Sequence, residues 1–385
     1  MIWPQRQPRF YSGQVCPGPD ASVRLSPYSE PVSEFMLKVP PVNEAQVPGA
    51  QPCPAAACAH GHKPRIALLS NPKSTGNLAQ LPRIREFAAE HPDLFHYEVE
   101  SASQIGEAMR SIARVRPKVL VINGGDGTVQ ATLTELYNGG HFGAELPPVA
   151  VLPSGKTNLI ALDLGAKGDP VQTLERLIEL ARADELAAFT VDRELIALRR
   201  GGSEDQPVIG MFLGGAGLAE MMLYCREKIY PLGLPNSIAH AITAIAATAK
   251  QVLGLKASFL PPDSTPLSVS LSQQESTLSG HFSLLAVTTL EKLLLSTDMG
   301  AHRAGTLKLL AIEQKPRSVV RAVLAKILGK LGPHVEGVHF KEADEITIEG
   351  ESSQVILDGE TFRAERGSPI HLRTAQPLSF VKLAA

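Results

Sequence analysis

Val119-Leu120-Val121-Ile122-Asn123-Gly124-Gly125-Asp126-Gly127-Thr128 decides the fold. A short apolar run ends in three glycines within four positions and leads directly into a segment, 129–137, with helical spacing. A buried strand that turns sharply into a helix is half of a parallel-sheet unit. The same turn is a candidate phosphate cradle. Glycines let the backbone approach a ligand closely, and amides at a helix N-terminus favour phosphate oxygens. Asp126 sharpens this reading, because a carboxylate beside phosphate is costly unless a cation or a proton lies between them. The alternative is a tight turn that needs its glycines for structure alone.

Moving outward, Arg65-Ile66-Ala67-Leu68-Leu69-Ser70 before Asn71-Pro72 and Pro148-Val149-Ala150-Val151-Leu152 before Pro153 are two more apolar strands. Helical spacing occupies 79–91, 157–163 and 170–183. Strand and helix in alternation predict an α/β domain over 63–188 with a doubly wound parallel sheet. After about 188 the pattern shifts to strands, at 189–199, 208–213, 267–272, 281–288, 307–312, 345–349 and 354–358, with helical stretches at 217–228, 236–253 and 317–331. The expectation is a β-rich second domain over 189–368, with a strand and tail at 369–385 that could complete either domain. The first 62 residues carry eleven prolines and read as a disordered extension. Its Cys53, Cys58, His60 and His62 could ligate zinc, but their spacing matches no zinc module, which favours an accidental cluster.

Composition narrows the function. Of 385 residues, 44% are hydrophobic and 20% charged, and 37 basic against 39 acidic residues leave a net charge of −2. That balance disfavours a nucleic-acid binder. Four cysteines do not make a disulfide framework. With no apolar run of roughly 18 residues and no signal-peptide core at the start, the expected location is cytoplasmic.

Two further turns carry chemistry. Pro153-Ser154-Gly155-Lys156-Thr157-Asn158 follows the third strand, at the same sheet edge where ligands of open α/β sheets bind. Gly155-Lys156-Thr157 looks like the end of a P-loop, but Ala150 stands where that motif needs a glycine. Lys156 could meet a phosphate as a point charge or simply be a solvated turn lysine. Val355-Ile356-Leu357-Asp358-Gly359-Glu360 would deliver two carboxylates to one face if it continued as a strand, and an Asp-Gly hairpin turn is the plainer reading.

Together with Asn71-Pro72-Lys73-Ser74-Thr75-Gly76, these motifs resemble the diacylglycerol kinase catalytic family, which includes ceramide and sphingosine kinases and bacterial lipid kinases. The resemblance runs from residue 65 to about 375, with the motifs in the family's order. It implies a first domain like those of NAD kinases and phosphofructokinases, a β-rich two-layer second domain and an active-site cleft between them. It also implies ATP and Mg2+, and transfer of the γ-phosphate to the hydroxyl of a diacylglycerol, ceramide or sphingoid lipid. By motif, Asn71, Ser74, Gly124, Gly125, Asp126, Gly127, Thr128, Ser154, Gly155, Lys156 and Thr157 would contact ATP. Asp358 would be the general base with Glu360 beside it, Asp126 and Glu360 would face the metal, and Asp192 would be the acid at the domain junction. Three places depart from the family pattern: Ala131, Lys156 with Leu159, and Arg303-Ala304-Gly305-Thr306. The rivals are a non-catalytic nucleotide- or lipid-binding relative and an NAD kinase-type enzyme.

A lipid acceptor implies peripheral contact with an anionic bilayer at the inner face of the membrane, and a homodimer is left open. In 317–332, Val319, Val320, Val323, Leu324, Ile327, Leu328 and Leu331 fall on about half of a helical circumference, flanked by Arg321, Lys326 and Lys330. The competing reading packs this helix on the second domain's sheet. The alanine-rich 236–253 reads as a packing helix.

Overall fold

The computed structural model describes residues 65–383 except 156–157, 167, 202–204, 233–235, 255–259, 273–275, 291, 294–296 and 299–305. The proline-rich extension with its Cys/His cluster, Lys156, Thr157 and Arg303-Ala304-Gly305 lie outside the described residues.

The first half alternates as expected: β1 (Ile66–Ser70), α1 (Asn77–Glu90), β2 (Leu94–Glu98), α2 (Ile105–Val115), β3 (Val119–Gly124), α3 (Asp126–Asn138), β4 (Val149–Pro153), α4 (Leu159–Asp163) and α5 (Pro170–Ala183). Strands β2, β1, β3 and β4 lie side by side in that order, all parallel. Strand alternation sorts the core onto two faces. Ile66, Leu68, Val119 and Val121 pack with Ile84 of α1 and Leu174 and Leu177 of α5. Ala67, Leu69, Leu120 and Ile122 pack with Met109 and Ile112 of α2 and Val129 and Leu133 of α3. Near-continuous apolar strands are what a parallel sheet covered on both faces requires.

The second half runs β5 (Thr190–Arg200), β6 (Val208–Gly210), β7 (Phe212–Gly215), α6 (Gly217–Tyr224), α7 (Asn236–Leu253), β8 (Leu267–Leu271), β9 (Ser276–Gly280) and β10 (Phe282–Thr288). Then come β11 (Lys292–Leu293), β12 (Thr297–Asp298), β13 (Leu307–Glu313), α8 (Pro316–Ile327), β14 (Val338–Ala343), β15 (Glu345–Gly350), β16 (Ser353–Leu357), β17 (Glu360–Ala364) and β18 (Ile370–Val381). The parallel strands continue through β18, β15, β8 and β9 into a ten-stranded sheet, with β5 and β6 branching from β18. The six-stranded sheet β14-β13-β10-β7-β16-β17 packs on it. Ile196, Val269, Ile346 and Leu372 of the larger sheet meet Leu213, Leu285, Leu309 and Val355 of the smaller one in a buried apolar core. The fold is thus mixed α/β, with a parallel-rich sheet and a separate antiparallel, β-rich sheet.

Three local differences from the expectations have physical causes. The run 208–213 is two strands, because the chain leaves the larger sheet after Gly210 and enters the smaller at Phe212. The helix over 217–228 stops at Tyr224 and continues as a single π turn, Cys225–Ile229. The helix over 317–331 ends at Ile327, because Gly329 adopts φ +65° and Lys330 N donates to Ala325 O at 2.7 Å, closing a glycine cap. Leu331 is therefore outside the helix.

Candidate functional site

Parallel strands in the order β2-β1-β3-β4 reverse direction of winding between β1 and β3, and a crevice opens outside their carboxyl ends. A cavity of about 910 Å³ lies there. Its polar end is built by the loop after β1 (Asn71, Lys73, Ser74, Thr75), by the turn into α3 (Gly125, Asp126, Gly127, Thr128) and by Gly155. Across from them stand Asp358, Gly359 and Glu360.

A hydrogen-bond network welds the loops. Asn71 Nδ2 donates to Thr128 Oγ1 at 2.8 Å, and Asn77 Nδ2 donates to the carbonyls of Asn71 at 2.8 Å and Asn123 at 3.0 Å. Ser74 Oγ donates to Ser154 O at 2.5 Å, and Ser154 Oγ donates to Asn123 Oδ1 at 2.5 Å. Ser154 is fully buried by these bonds and does not line the cavity. Its hydroxyl braces β3 to β4. Gly124 is likewise structural: a Cβ there would lie 2.7 Å from the Thr128 side chain, so its absence lets α3 start beneath the strand. Gly155 presses on the neighbouring turn, where a Cβ would stand 2.9 Å from Gly125 Cα.

Asp358 and Gly359 form the two-residue turn of the β16–β17 hairpin, with φ of +42° and +95° and Leu357 paired to Glu360. The two carboxylates thus reach one cavity from a hairpin turn rather than from one strand. Positive φ at both positions explains the Asp-Gly pair. The break between β6 and β7 leaves two amides unpaired by any ladder, and the Asp358 carboxylate accepts from Met211 N at 2.6 Å and Phe212 N at 3.1 Å. Burial, against the opposing pull of the Met211 amide, pushes the Asp358 carboxyl up to about 8, and the nearby Asp126 carboxylate adds to the rise. A Cβ on Gly359 would lie 3.5 Å from Gly127 N, and the Glu360 carboxylate stands 3.7 Å from where a Gly127 Cβ would be. The hairpin turn and the glycine loop therefore touch, although Asp126 and Asp358 are far apart in sequence.

Among the described residues no group of three or more His, Cys, Asp or Glu could hold a metal alone. Asp126 and Glu360, one carboxylate on each side of the cavity, suit a divalent cation completed by phosphate oxygens and water, the usual habit of magnesium. Asp192 is elsewhere: it is exposed on β5 and accepts from Ser379 Oγ at 2.6 Å, away from the cavity lining.

The motifs do not announce the remaining walls. Val99, Glu100, Ser101, Ala102 and Ile105 follow β2 and form one side. Phe212, Leu218, Met221, Met222 and Leu223 form an apolar side, because α6 turns that face inward. Tyr230, just after the π turn, also lines the cavity; burial first, then Cys225 and Asp126, push its phenol up to about 12. One signal was available: the apolar residues Leu218, Met221, Met222 and Leu223 shortly after a glycine-rich strand.

Residues 65–187 match the family model of the diacylglycerol kinase catalytic domain, so the resemblance read from the motifs holds over this segment. No curated protein sequence matches the chain. Among solved structures, a diacylglycerol kinase from Bacillus anthracis is 16% identical with a TM-score of 0.51, covering 83% of this chain and 97% of that one. Another from Bacillus anthracis, provisionally given the same name, is 18% identical with a TM-score of 0.56 over the same shares. A yeast NADH kinase complexed with NADH is 12% identical, with a TM-score of 0.45 over 83% and 84%. At these identities the two Bacillus anthracis structures show a shared fold and nothing beyond it.

Proposed function

We propose that this chain is an ATP-dependent lipid kinase that moves the γ-phosphate of ATP to a hydroxyl on a membrane lipid. The observation that carries the reading is the convergence of the Gly125–Thr128 turn with Asp358 and Glu360 in one cavity whose far wall is apolar. Phosphoryl transfer needs positioning and charge neutralisation more than covalent help. The α3 N-terminus and the loops at 71–75 and 155 would hold the triphosphate. Bound magnesium, between Asp126 and Glu360, would neutralise charge on the phosphates.

Asp358 would take the proton from the acceptor hydroxyl as its oxygen bonds to the γ-phosphorus and the bond to the β-phosphate oxygen breaks, releasing ADP. A carboxyl raised to about 8 has a proton affinity near the working pH, so its ionised fraction takes a proton more readily than an ordinary carboxylate does. The apolar wall of Phe212, Leu218, Met221, Met222 and Leu223 suits an alkyl body, as diacylglycerol, ceramide and sphingoid bases all have. The test presents labelled ATP and magnesium with NAD and with each lipid separately. Label on one lipid class is expected and names the acceptor. Label on NAD would favour the NAD kinase-type reading, and ATP binding without any transfer would favour a binding module.

A further inference from the structure

Helices α7 and α8 pack against each other yet leave large apolar side chains uncovered. On α8, Ser318, Val319 and Ala322 are buried, whereas Val320, Val323, Leu324 and Ile327 are 37%, 41%, 53% and 74% exposed. At about 100° per residue the exposed set forms one stripe on the face opposite the buried one. Leu328, directly after the helix, is exposed as well. On α7, Ala239 and Thr243 are buried while Ile242, Ile245 and Leu253 are exposed. Exposed apolar sets on two helices that pack against each other are the mark of a binding surface.

The surrounding charge says what it fits. From 316 to 335 the chain carries Arg317, Arg321, Lys326, Lys330 and His334 and no Asp or Glu. Arg317 and Lys330 are exposed, and Arg321 pairs with Glu336 at 2.5 Å. Arg226 and Lys228, with Glu227 between them, add exposed charge before α7. An apolar stripe with a basic rim matches the headgroup boundary of an anionic bilayer. The face also adjoins the cavity, since α7 places Thr243 and Ala244 on the cavity wall and Ile242 and Ile245 in solvent. We propose that the α7–α8 face docks on an anionic bilayer and sets the cavity beside its acceptor. The purpose of docking rests on the lipid-kinase reading, but docking itself can be measured without catalysis.

The full chain is sedimented, without nucleotide, with vesicles of phosphatidylcholine alone or mixed with phosphatidylglycerol. Binding to the mixed vesicles is expected. Leu324→Asp with Ile327→Asp, and separately Ile245→Asp, should weaken it at least about tenfold. Arg317→Gln should weaken it about fivefold, on the anionic vesicles alone. Unchanged melting temperatures show that the variants fold. Wild-type protein that ignores the mixed vesicles, variants that bind as well as wild type, or a wild-type dimer that Ile327→Asp converts to monomer would each overturn the proposal. Labelling of detergent-dispersed lipid by a chain that ignores vesicles sinks docking alone; vesicle binding without lipid labelling sinks only the kinase reading.

Discussion

Asp358 combines burial, two backbone donors and a neighbouring carboxylate, and its ionisation decides how it acts. Its carboxyl is raised from 3.8 to about 8, chiefly by burial. Below about pH 4 both folded and unfolded states hold the proton; between there and about 8 only the folded state does. Stability from this group is therefore lost as pH rises through that window. Asp358→Asn cannot titrate, so the unfolding free energy of the wild type should fall steadily relative to the variant from about pH 4 to about 8. Chemical denaturation across pH measures it, and a flat difference would remove the raised carboxyl. Ser154→Ala is a different case: it leaves the buried Asn123 Oδ1 without its donor, a cost of about 1–3 kcal/mol. A lower melting temperature with nucleotide affinity little changed is expected, because Ser154 braces the loops and does not line the cavity.

At the scale of elements, β1, β3 and β4 were legible because both faces of each are buried, which leaves uninterrupted apolar runs. The edge strand β2, Leu94-Phe95-His96-Tyr97-Glu98, has only Leu94 buried and gives no such run. Helices 236–253 and 170–183 match their spacing, whereas the end of α8 depended on Gly329 taking a left-handed turn. Three groups of site residues were legible from glycine turns and Asp-Gly-Glu. The walls after β2 and on α6 were not, because they face the cavity only through the sheet's topology. The brace that Ser154 makes was not legible for a related reason, since its partner Asn123 lies on another strand. The joint between α1 and β4 is the element-level test. A Cβ on Gly76 would meet Ser154 O at 2.7 Å and Ser154 Cα at 2.9 Å, both backbone atoms. Gly76→Ala should therefore cost about 1–3 kcal/mol and raise the KM for ATP, as read by thermal unfolding and initial rates.

For the whole molecule, β18 carries the continuity of the larger sheet: it pairs with β15 near Ile370, with β5 along its length and with β4 where Phe380 meets Val149. Truncation before Ile370 should abolish cooperative unfolding monitored by circular dichroism. The site depends on the same continuity, because the glycine loop and the Asp358 hairpin come from distant parts of the chain. The most direct test incubates wild type and Asp358→Asn with labelled ATP, magnesium and mixed lipid vesicles while nucleotide binding is measured separately. Labelled lipid from the wild type, a loss of about 100- to 10,000-fold in the variant and ATP binding nearly equal in both are expected. Equal turnover by the two proteins, or no labelled lipid from a wild type that binds ATP, would contradict this expectation.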